Sequence, residues 1–181
     1  LFQLIGAVAA IFGFGDPSKY SVIINAMSAL FSAFTILFLF WTITHLVRRL
    51  LNKDFEEVTF TEEISILFAG VIGALSFTFS DTFWFSAVEG EVYSMASMFI
   101  ALLVWLITKW ENEYHEKDNE RWLILIFFIT GLSVGVHMMC MLAIPAVCII
   151  YYARNYEFTW KSFLIGNAVS LGILIVVFRL I

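Results

Sequence analysis

The residues best suited to chemistry in this 181-residue sequence lie close together near its middle. Asp81 comes first, and Glu89, Glu91 and Tyr93 then place two carboxylates and a phenol within five residues. Carboxylates that face a protected cleft can act as a general base, bind a metal ion or hold a hydroxyl group. The spacing therefore marks a candidate catalytic or binding segment.

The same acidic residues also have purely structural interpretations, and these stay open at this point. Ser86 and Glu89 have the S-x-x-E spacing of a capping box, in which Glu89 satisfies the first turn of the next helix. Glu91 suits the positive end of that helix. The aromatic run 83–85 fits the belt that forms where a protein meets the membrane surface.

Two further ionisable residues lie in apolar stretches. His137 is the ionisable group inside the stretch 122–153, where an imidazole can bind a metal ion or a phosphate oxygen, or hydrogen-bond between helices. Arg179 lies near the end of the last apolar stretch and either snorkels to the membrane surface or contacts a phosphate. The candidate site residues are therefore Asp81, Glu89, Glu91, Tyr93, His137 and Arg179.

The composition indicates that these residues belong to a membrane protein. Hydrophobic residues make up 61% of the chain and charged residues 14%, against about 45–50% and about 25% in soluble domains. The mean hydropathy is +0.92. An ordinary soluble enzyme and a disordered tail are excluded, and the net charge of −5 argues against nucleic acid as a partner. The lipid bilayer is the expected partner.

The predicted fold is all-α: a polytopic transmembrane bundle with about six membrane-crossing helices and a short N-terminal interfacial helix. A crossing needs about 20 mostly apolar residues, because the hydrocarbon core is about 30 Å thick. We expect one transmembrane domain, 1–181, in which 80–91 is a connecting loop. The interfacial helix is predicted over 1–14, and the spans over 21–47, 64–79, 92–110, 122–136, 138–153 and 162–181.

The stretch 122–153 is predicted to be a hairpin. As one helix it would be about 48 Å long, too long for a single crossing. A turn at 135–137 leaves two arms of about 22 Å each, so the turn is recessed below the membrane surface. Backbone at that depth must be buried in protein or line a wet cavity.

The basic residues predict which side of the membrane each connection faces. Lys and Arg favour the cytoplasmic side of short loops. The stretch 80–91 contains neither residue, so we expect Glu89 on the non-cytoplasmic side of the cell (inner) membrane. Eight of the ten basic residues fall on the other side: Arg48, Arg49, Lys53, Lys109, Lys117, Arg121, Arg154 and Lys161.

Four stretches carry a resemblance to a known family, and the most specific element is the E-x-E-x-Y of Glu89, Glu91 and Tyr93. The stretches are 81–84 with 88–93, 1–6, 25–30 with the helix that follows, and 131–138 around His137. Through them most of the chain resembles a bacterial multi-pass membrane family of formerly unknown function. That family is related to the transmembrane protein O-mannosyltransferases of the GT-C glycosyltransferase superfamily.

The resemblance implies a GT-C-like enzyme that takes a sugar, such as mannose, from a polyprenyl-phosphate carrier. The acceptor would be a hydroxyl group, such as that of a protein Ser or Thr, at the outer face. Glu89 and Glu91 would have supporting catalytic roles, and Asp81, Tyr93, His137 and Arg179 would bind substrate. Whether a divalent metal takes part is left open.

The family also implies an acidic residue in an outer loop that precedes an interfacial helix. Since 1–14 would be that helix, we expect the main catalytic base upstream of Leu1. The chain would then be a fragment that lacks this base and is inactive alone. A transporter subunit and a non-catalytic scaffold are the alternatives. Transporters place ionisable residues at mid-membrane, whereas 64–79 and 92–108 contain none.

Overall fold

The computed structural model describes residues 2–14, 16–51, 58–115, 118–157 and 159–180. Within these ranges the chain forms eight α-helices, two 3-10 turns and no strand, so the predicted all-α class is confirmed. The helices are α1 Phe2–Phe12, α2 Tyr20–Leu50, α3 Phe60–Thr78, α4 Asp81–Val88, α5 Val92–Asn112, α6 Glu120–Val134, α7 Ala143–Asn155 and α8 Trp160–Leu180; the 3-10 turns are Pro17–Lys19 and Met138–Leu142.

The N-terminal helix α1 lies within the range 1–14 in which the sequence predicts an interfacial helix. Leu1 itself, where that prediction begins, lies outside the described residues. Among the described residues, α1 runs from Phe2 to Phe12. The expectation of a catalytic base upstream of Leu1 stays a prediction.

Five helical segments in the described chain are long and apolar enough to cross a membrane. They are α2, α3, α5, α8 and the segment Met138–Asn155, which joins a 3-10 turn to α7. Helix α6 has 15 residues and is about 22 Å long, shorter than a full crossing. The predicted number of about six crossings is therefore reached only when α6 is counted as one arm of a hairpin.

Helices α2 and α5 form the centre of the bundle. Helix α2 packs against α3 and α5, and α5 packs in turn against α6 and α7. The rings of Phe38 and Trp41 lie 5.6 and 5.2 Å from the ring of Trp105, which joins α2 to α5. At Gly70 an added Cβ would lie 2.8 Å from the ring of Phe40, so glycine allows α3 to approach α2 closely.

Local signals in the sequence explain where α3 begins. The Thr59 side chain accepts a hydrogen bond from the backbone N–H of Glu62, and the Glu62 carboxylate accepts one from the backbone N–H of Thr59 at 2.9 Å. This reciprocal pair is the capping box that the residues 59–62 indicate. It fixes the first turn of α3 just after residues 52–57, which lie outside the described chain.

The chain reverses at 135–137, where the sequence predicts a turn. Ile126 of α6 packs in one cluster with Leu103 and Trp110 of α5. Val136, after the end of α6, packs with Met95 near the start of α5. Helix α6 therefore runs antiparallel to α5, and the chain then turns back into α7.

The ends of α2, α5 and α7 meet in a charged cluster. Glu111 pairs with Arg49 of α2, and it accepts a hydrogen bond of 3.0 Å from Arg154 of α7. One carboxylate thus joins three helices, and it is only 21% exposed. We call this end of the bundle the arginine end.

A second carboxylate at the arginine end joins α5 to α6. Trp122 donates to Glu113 at 2.6 Å, and Arg121 donates at 3.0 Å. These bonds favour the charged carboxylate and lower the pKa of Glu113, with the Trp122 bond as the larger cause. A depressed pKa in the folded state means that this stabilisation is present at neutral pH and is lost as the pH falls through that pKa.

Replacing Glu111 by Gln should destabilise the bundle. The change leaves Arg49 and Arg154 without their shared counterion, and the expected cost is about 1–2 kcal/mol, reduced by the solvent that reaches Arg49. Thermal unfolding of the detergent-solubilised protein measures the effect. The exposed Glu157 supplies the control variant Glu157→Gln, and equal melting temperatures for the two variants would contradict the joining role of Glu111.

Candidate functional site

The segment 80–91 is not the simple loop that the sequence predicts. Its first eight residues after Ser80 form α4, because Phe83 is buried and packs its ring against Phe77 at 4.6 Å. Trp84 and Phe85 stay 52% and 62% exposed, as residues at a membrane surface do. Helix α4 is therefore a short amphipathic element that holds the acidic segment after it.

The predicted capping box of Ser86 and Glu89 is wrong. Ser86 lies inside α4, and its hydroxyl donates to the carbonyl of Thr82 at 3.0 Å. Glu89 is the residue at the end of α4, and the N-cap of α5 is Glu91. The local S-x-x-E pattern does not form a capping box, because burial of Phe83 extends α4 through Ser86.

The carboxylates of Glu89 and Glu91 are not used for capping. Glu91 makes no side-chain bond to the first turn of α5, and both residues are exposed. In the described part of the chain, neither carboxylate takes part in a hydrogen bond or ion pair. Both carboxylates are therefore accessible for a ligand, and the structural interpretation of Glu89 has lost its basis.

Gly90 positions the two carboxylates against α2. The backbone N–H of Glu91 donates to the carbonyl of Glu89 at 2.8 Å, which closes a tight turn around Gly90. A Cβ at Gly90 would lie 2.8 Å from both Asn25 Oδ1 and Ile24 Cγ2. Only a residue without a side chain fits there undisturbed, so glycine is what lets the turn approach α2.

The acidic turn and the charged cluster lie at opposite ends of the bundle. Gly90 contacts α2 at Asn25, whereas Arg49 closes the other end of the same helix. Arg49 follows Asn25 by 24 positions, which corresponds to about 36 Å of helix. We call the end that carries Glu89 and Glu91 the acidic end.

His137 also lies at the acidic end. It precedes the 3-10 turn Met138–Leu142, and its Nδ1 accepts a hydrogen bond of 3.1 Å from the backbone N–H of Met139. Its ring packs against the ring of Tyr93, with 5.7 Å between the ring centroids. Two candidate residues that are 44 positions apart in sequence are thus neighbours in the fold.

The hydrogen bond at Nδ1 determines what His137 can do chemically. A backbone N–H can only donate, so Nδ1 acts as the acceptor and the neutral ring carries its hydrogen on Nε2. The Nε2–H group is then a donor for an oxygen atom, such as one of a phosphate. A metal bound at Nε2 would require the other tautomer, which cannot accept from Met139.

The remaining two candidate residues lie on other helices. Asp81 is exposed in the first turn of α4. Arg179 is exposed in the last turn of α8, a helix that packs against α7. In the ranges given above, no hydrogen bond or ion pair links Arg179 to the other five candidates, and no group of three or more His, Cys, Asp or Glu side chains could hold a metal ion.

Sequence reasoning did not assign a role to Asn25 or Gly90. Asn25 brings a carboxamide to the acidic turn, and Gly90 sets the distance between that turn and α2. A glycine between two carboxylates is a signal of close backbone approach. Its contact on α2, 65 positions earlier, has no local signature in the sequence.

Comparison with known proteins agrees with the resemblance that the E-x-E-x-Y element carries. The family model described as protein O-mannosyl-transferase TMEM260 N-terminal domain matches residues 1–160. A protein O-mannosyl-transferase tmem260 of Dictyostelium discoideum is 26% identical over 111 residues. No solved structure matches the chain.

The match to the Dictyostelium protein covers 55% of this chain and 13% of that protein, so the chain spans a small part of its relative's length. The family model, in contrast, covers most of the chain. The chain therefore belongs to the family of TMEM260 protein O-mannosyl-transferase N-terminal domains.

Proposed function

We propose that this chain is the part of a membrane-bound O-mannosyltransferase that positions substrates at the outer membrane face. The full-length enzyme would transfer a sugar from a polyprenyl-phosphate carrier to a hydroxyl acceptor, such as Ser or Thr of a protein. Membership of the family supports the reaction class. The observation that carries the proposal is the grouping of Glu89, Glu91, Tyr93 and His137 at one end of the bundle, away from the arginine end.

Each step of the transfer needs a different kind of group. The acceptor oxygen attacks the anomeric carbon, its proton passes to a base, and the bond from that carbon to the phosphate oxygen breaks. A carboxylate can hold the acceptor hydroxyl by accepting its hydrogen bond. The leaving phosphate needs hydrogen-bond donors, because negative charge develops on it.

The residues at the acidic end match these needs. Glu89 and Glu91 orient the acceptor hydroxyl or the donor, while the main base is expected upstream of Leu1 in the full-length enzyme. His137 offers the Nε2–H donor to a phosphate oxygen, and the ring of Tyr93 holds the imidazole in place. We assign no ligand set for a divalent metal.

A scaffold function has lost its main support, because it depends on Glu89 being a capping residue. The fold instead leaves the two carboxylates unengaged in the described chain and held by a glycine turn against α2. Glu91, at the N-cap of α5, interacts favourably with the positive end of that helix, but this explains only one of the two exposed carboxylates. Substrate binding gives a reason for both.

Replacing Glu89 and Glu91 together by Gln should reduce sugar transfer by the full-length enzyme about tenfold to hundredfold. Loss of one hydrogen bond to a charged group costs about 1.5–3 kcal/mol, and about 1.4 kcal/mol changes a rate tenfold. Transfer of labelled mannose to an acceptor peptide in membranes measures the effect. Glu63→Gln, at an exposed glutamate of α3, is the matched control.

The proposal fails if the double variant, present at normal abundance, transfers sugar at the wild-type rate. If the chain were part of a transporter or a scaffold, the double variant would still assemble and function. Reduced transfer together with a normal melting temperature would separate a role in the reaction from a role in folding.

Two substitutions at His137 test the assigned donor. Asn retains an acceptor for the backbone N–H of Met139 but has no group at the position of Nε2, whereas Gln retains a donor near that position. We expect His137→Asn to fold normally and to lose sugar transfer about tenfold or more. His137→Gln should retain more activity and melt at a lower temperature.

The relevant measurements are the transfer rate and the melting temperature of both variants in the same membranes or detergent. If His137→Asn transferred sugar as fast as the wild type, the imidazole would have only the structural role of bonding Met139. If the two variants lost activity in strict proportion to their melting temperatures, the donor assignment would likewise be wrong.

A further inference from the structure

A groove at the arginine end of the bundle takes no part in the proposed reaction. It lies between α6, α7 and α8 and has a volume of about 580 Å³. Its walls are almost entirely apolar and include Phe127 of α6, Val147 and Tyr151 of α7, and Ile165, Val169 and Ile173 of α8. Because α8 and the segment that contains α7 are long and apolar enough to cross a membrane, the groove between them would be open to lipid there.

Polar groups occur at one end of the groove only. The hydroxyls of Tyr152 and Ser162 are hydrogen-bonded to each other there. A second cavity of about 480 Å³ shares Leu123, Phe127 and Tyr151 with the groove and continues it. Its additional lining residues are mostly polar or aromatic: Trp110, Tyr114, Asn119, Glu120, Ile124 and Asn155.

The length of the groove matches one leaflet of a membrane. Ser162 and Ile173 line its two ends on α8, and these positions, 11 apart, are separated by about 16 Å of helix. The hydrocarbon of one leaflet is half of a core about 30 Å thick, or about 15 Å. A fatty acyl chain with its headgroup at the Ser162 end would therefore fill the groove to the bilayer midplane.

The polar mouth also offers groups that a headgroup can engage. Trp110 is 1% exposed, and its Nε1–H has no acceptor among the described residues. The guanidinium of Arg154 lies over the ring of Tyr114, 5.9 Å from its centroid. Charges of both signs are present, because Glu120 lines the mouth and Arg154, which also donates to Glu111 at 3.0 Å, lies over the lining residue Tyr114.

We propose that the groove binds one acyl chain of a zwitterionic phospholipid from the leaflet at the arginine end. The phosphate would lie near Arg154 and the ammonium group near Glu120, with the acyl chain against Val169 and Ile173. The lipid would fill the space between α6 and α8, which packs against α7. The site is separate from the sugar-carrier site, which the proposed function places at the acidic end.

A polyprenyl phosphate shares this chemistry, since it also joins an apolar chain to a phosphate. A helix from another part of a longer protein could equally fill an apolar groove. The position in the leaflet opposite the acidic end favours phospholipid over the sugar carrier. The polar mouth, which a covering helix would not need, favours an amphiphile over protein.

Two glycines of α8 supply a matched pair of variants. A Cβ at Gly166 would lie 3.6 Å from the ring of Tyr152, at the groove wall, whereas a Cβ at Gly172 would meet no atom within 4 Å. Gly166→Phe should fill the groove, and Gly172→Phe should leave it open. Both changes put the same side chain on the same helix.

The experiment purifies the full-length protein in mild detergent from membranes that contain phosphatidylethanolamine. Bound lipid is then measured by native mass spectrometry. We expect about one phosphatidylethanolamine per chain in the wild type and in Gly172→Phe. In Gly166→Phe the occupancy should correspond to an affinity at least about tenfold weaker, or roughly 1.4 kcal/mol. Gly166→Ala, which fits without displacement, should retain the lipid.

A photoactivatable phosphatidylethanolamine analogue gives a second readout that does not depend on how Gly166→Phe folds. Cross-links to peptides that contain 165–173 in the wild type, competed by excess phosphatidylethanolamine, would support the proposal. The proposal is overturned if no phospholipid is retained or cross-linked there, if both phenylalanine variants retain it equally, or if polyprenyl phosphate is the lipid retained. Sugar transfer is measured separately, so loss of activity without loss of lipid would affect only the proposed function.

Discussion

The structure depends on one constraint: a backbone that crosses hydrocarbon must satisfy its hydrogen bonds within the protein. Helices satisfy them automatically, and the helices of this chain leave polar chemistry to their ends. The bend after α6 is different, because there the backbone hydrogen bonds of the helix are interrupted inside the apolar stretch. There the imidazole of His137 accepts from the N–H of Met139, which the bend would otherwise leave without a partner.

The same hydrogen bond also fixes which nitrogen of His137 can donate. Because Nδ1 is engaged by the backbone, the neutral ring presents Nε2–H, and the neighbouring ring of Tyr93 restricts how the imidazole can turn. The bend therefore delivers an oriented hydrogen-bond donor to the same end as the carboxylates of Glu89 and Glu91. The side chain that bonds the backbone at the bend is thus the one to which the proposed function assigns a phosphate contact.

Much of the fold could be predicted from the sequence, because apolar runs, flanking charges and the capping box at Thr59 are local signals. The turn at 135–137 followed from length and charge alone. The existence of α4 could not be predicted in this way, because its eight residues are helical through burial of Phe83 against Phe77. Tertiary packing there overrode the S-x-x-E pattern.

The site was only partly predictable for the same reason. The types and spacing of Glu89, Glu91 and Tyr93 identified the acidic end, and the single imidazole of an apolar stretch identified His137. What the sequence does not encode locally is the approach of Gly90 to Asn25 and of Tyr93 to His137, since both pairs are distant in the chain. Arg179, chosen for its place near the end of the last apolar stretch, lies in the last turn of α8, which packs against α7.

The proposed function requires the acidic and arginine ends of the bundle to face opposite sides of the membrane. Cysteine accessibility measures this in intact cells, using Glu89→Cys and Glu157→Cys in a cysteine-free variant of the full-length protein, in which Cys140 and Cys148 are also replaced. We predict that a membrane-impermeant maleimide labels position 89 from outside, and that it labels position 157 only after the membrane is opened. Labelling of both positions from the same side, or of position 157 alone from outside, would contradict the account.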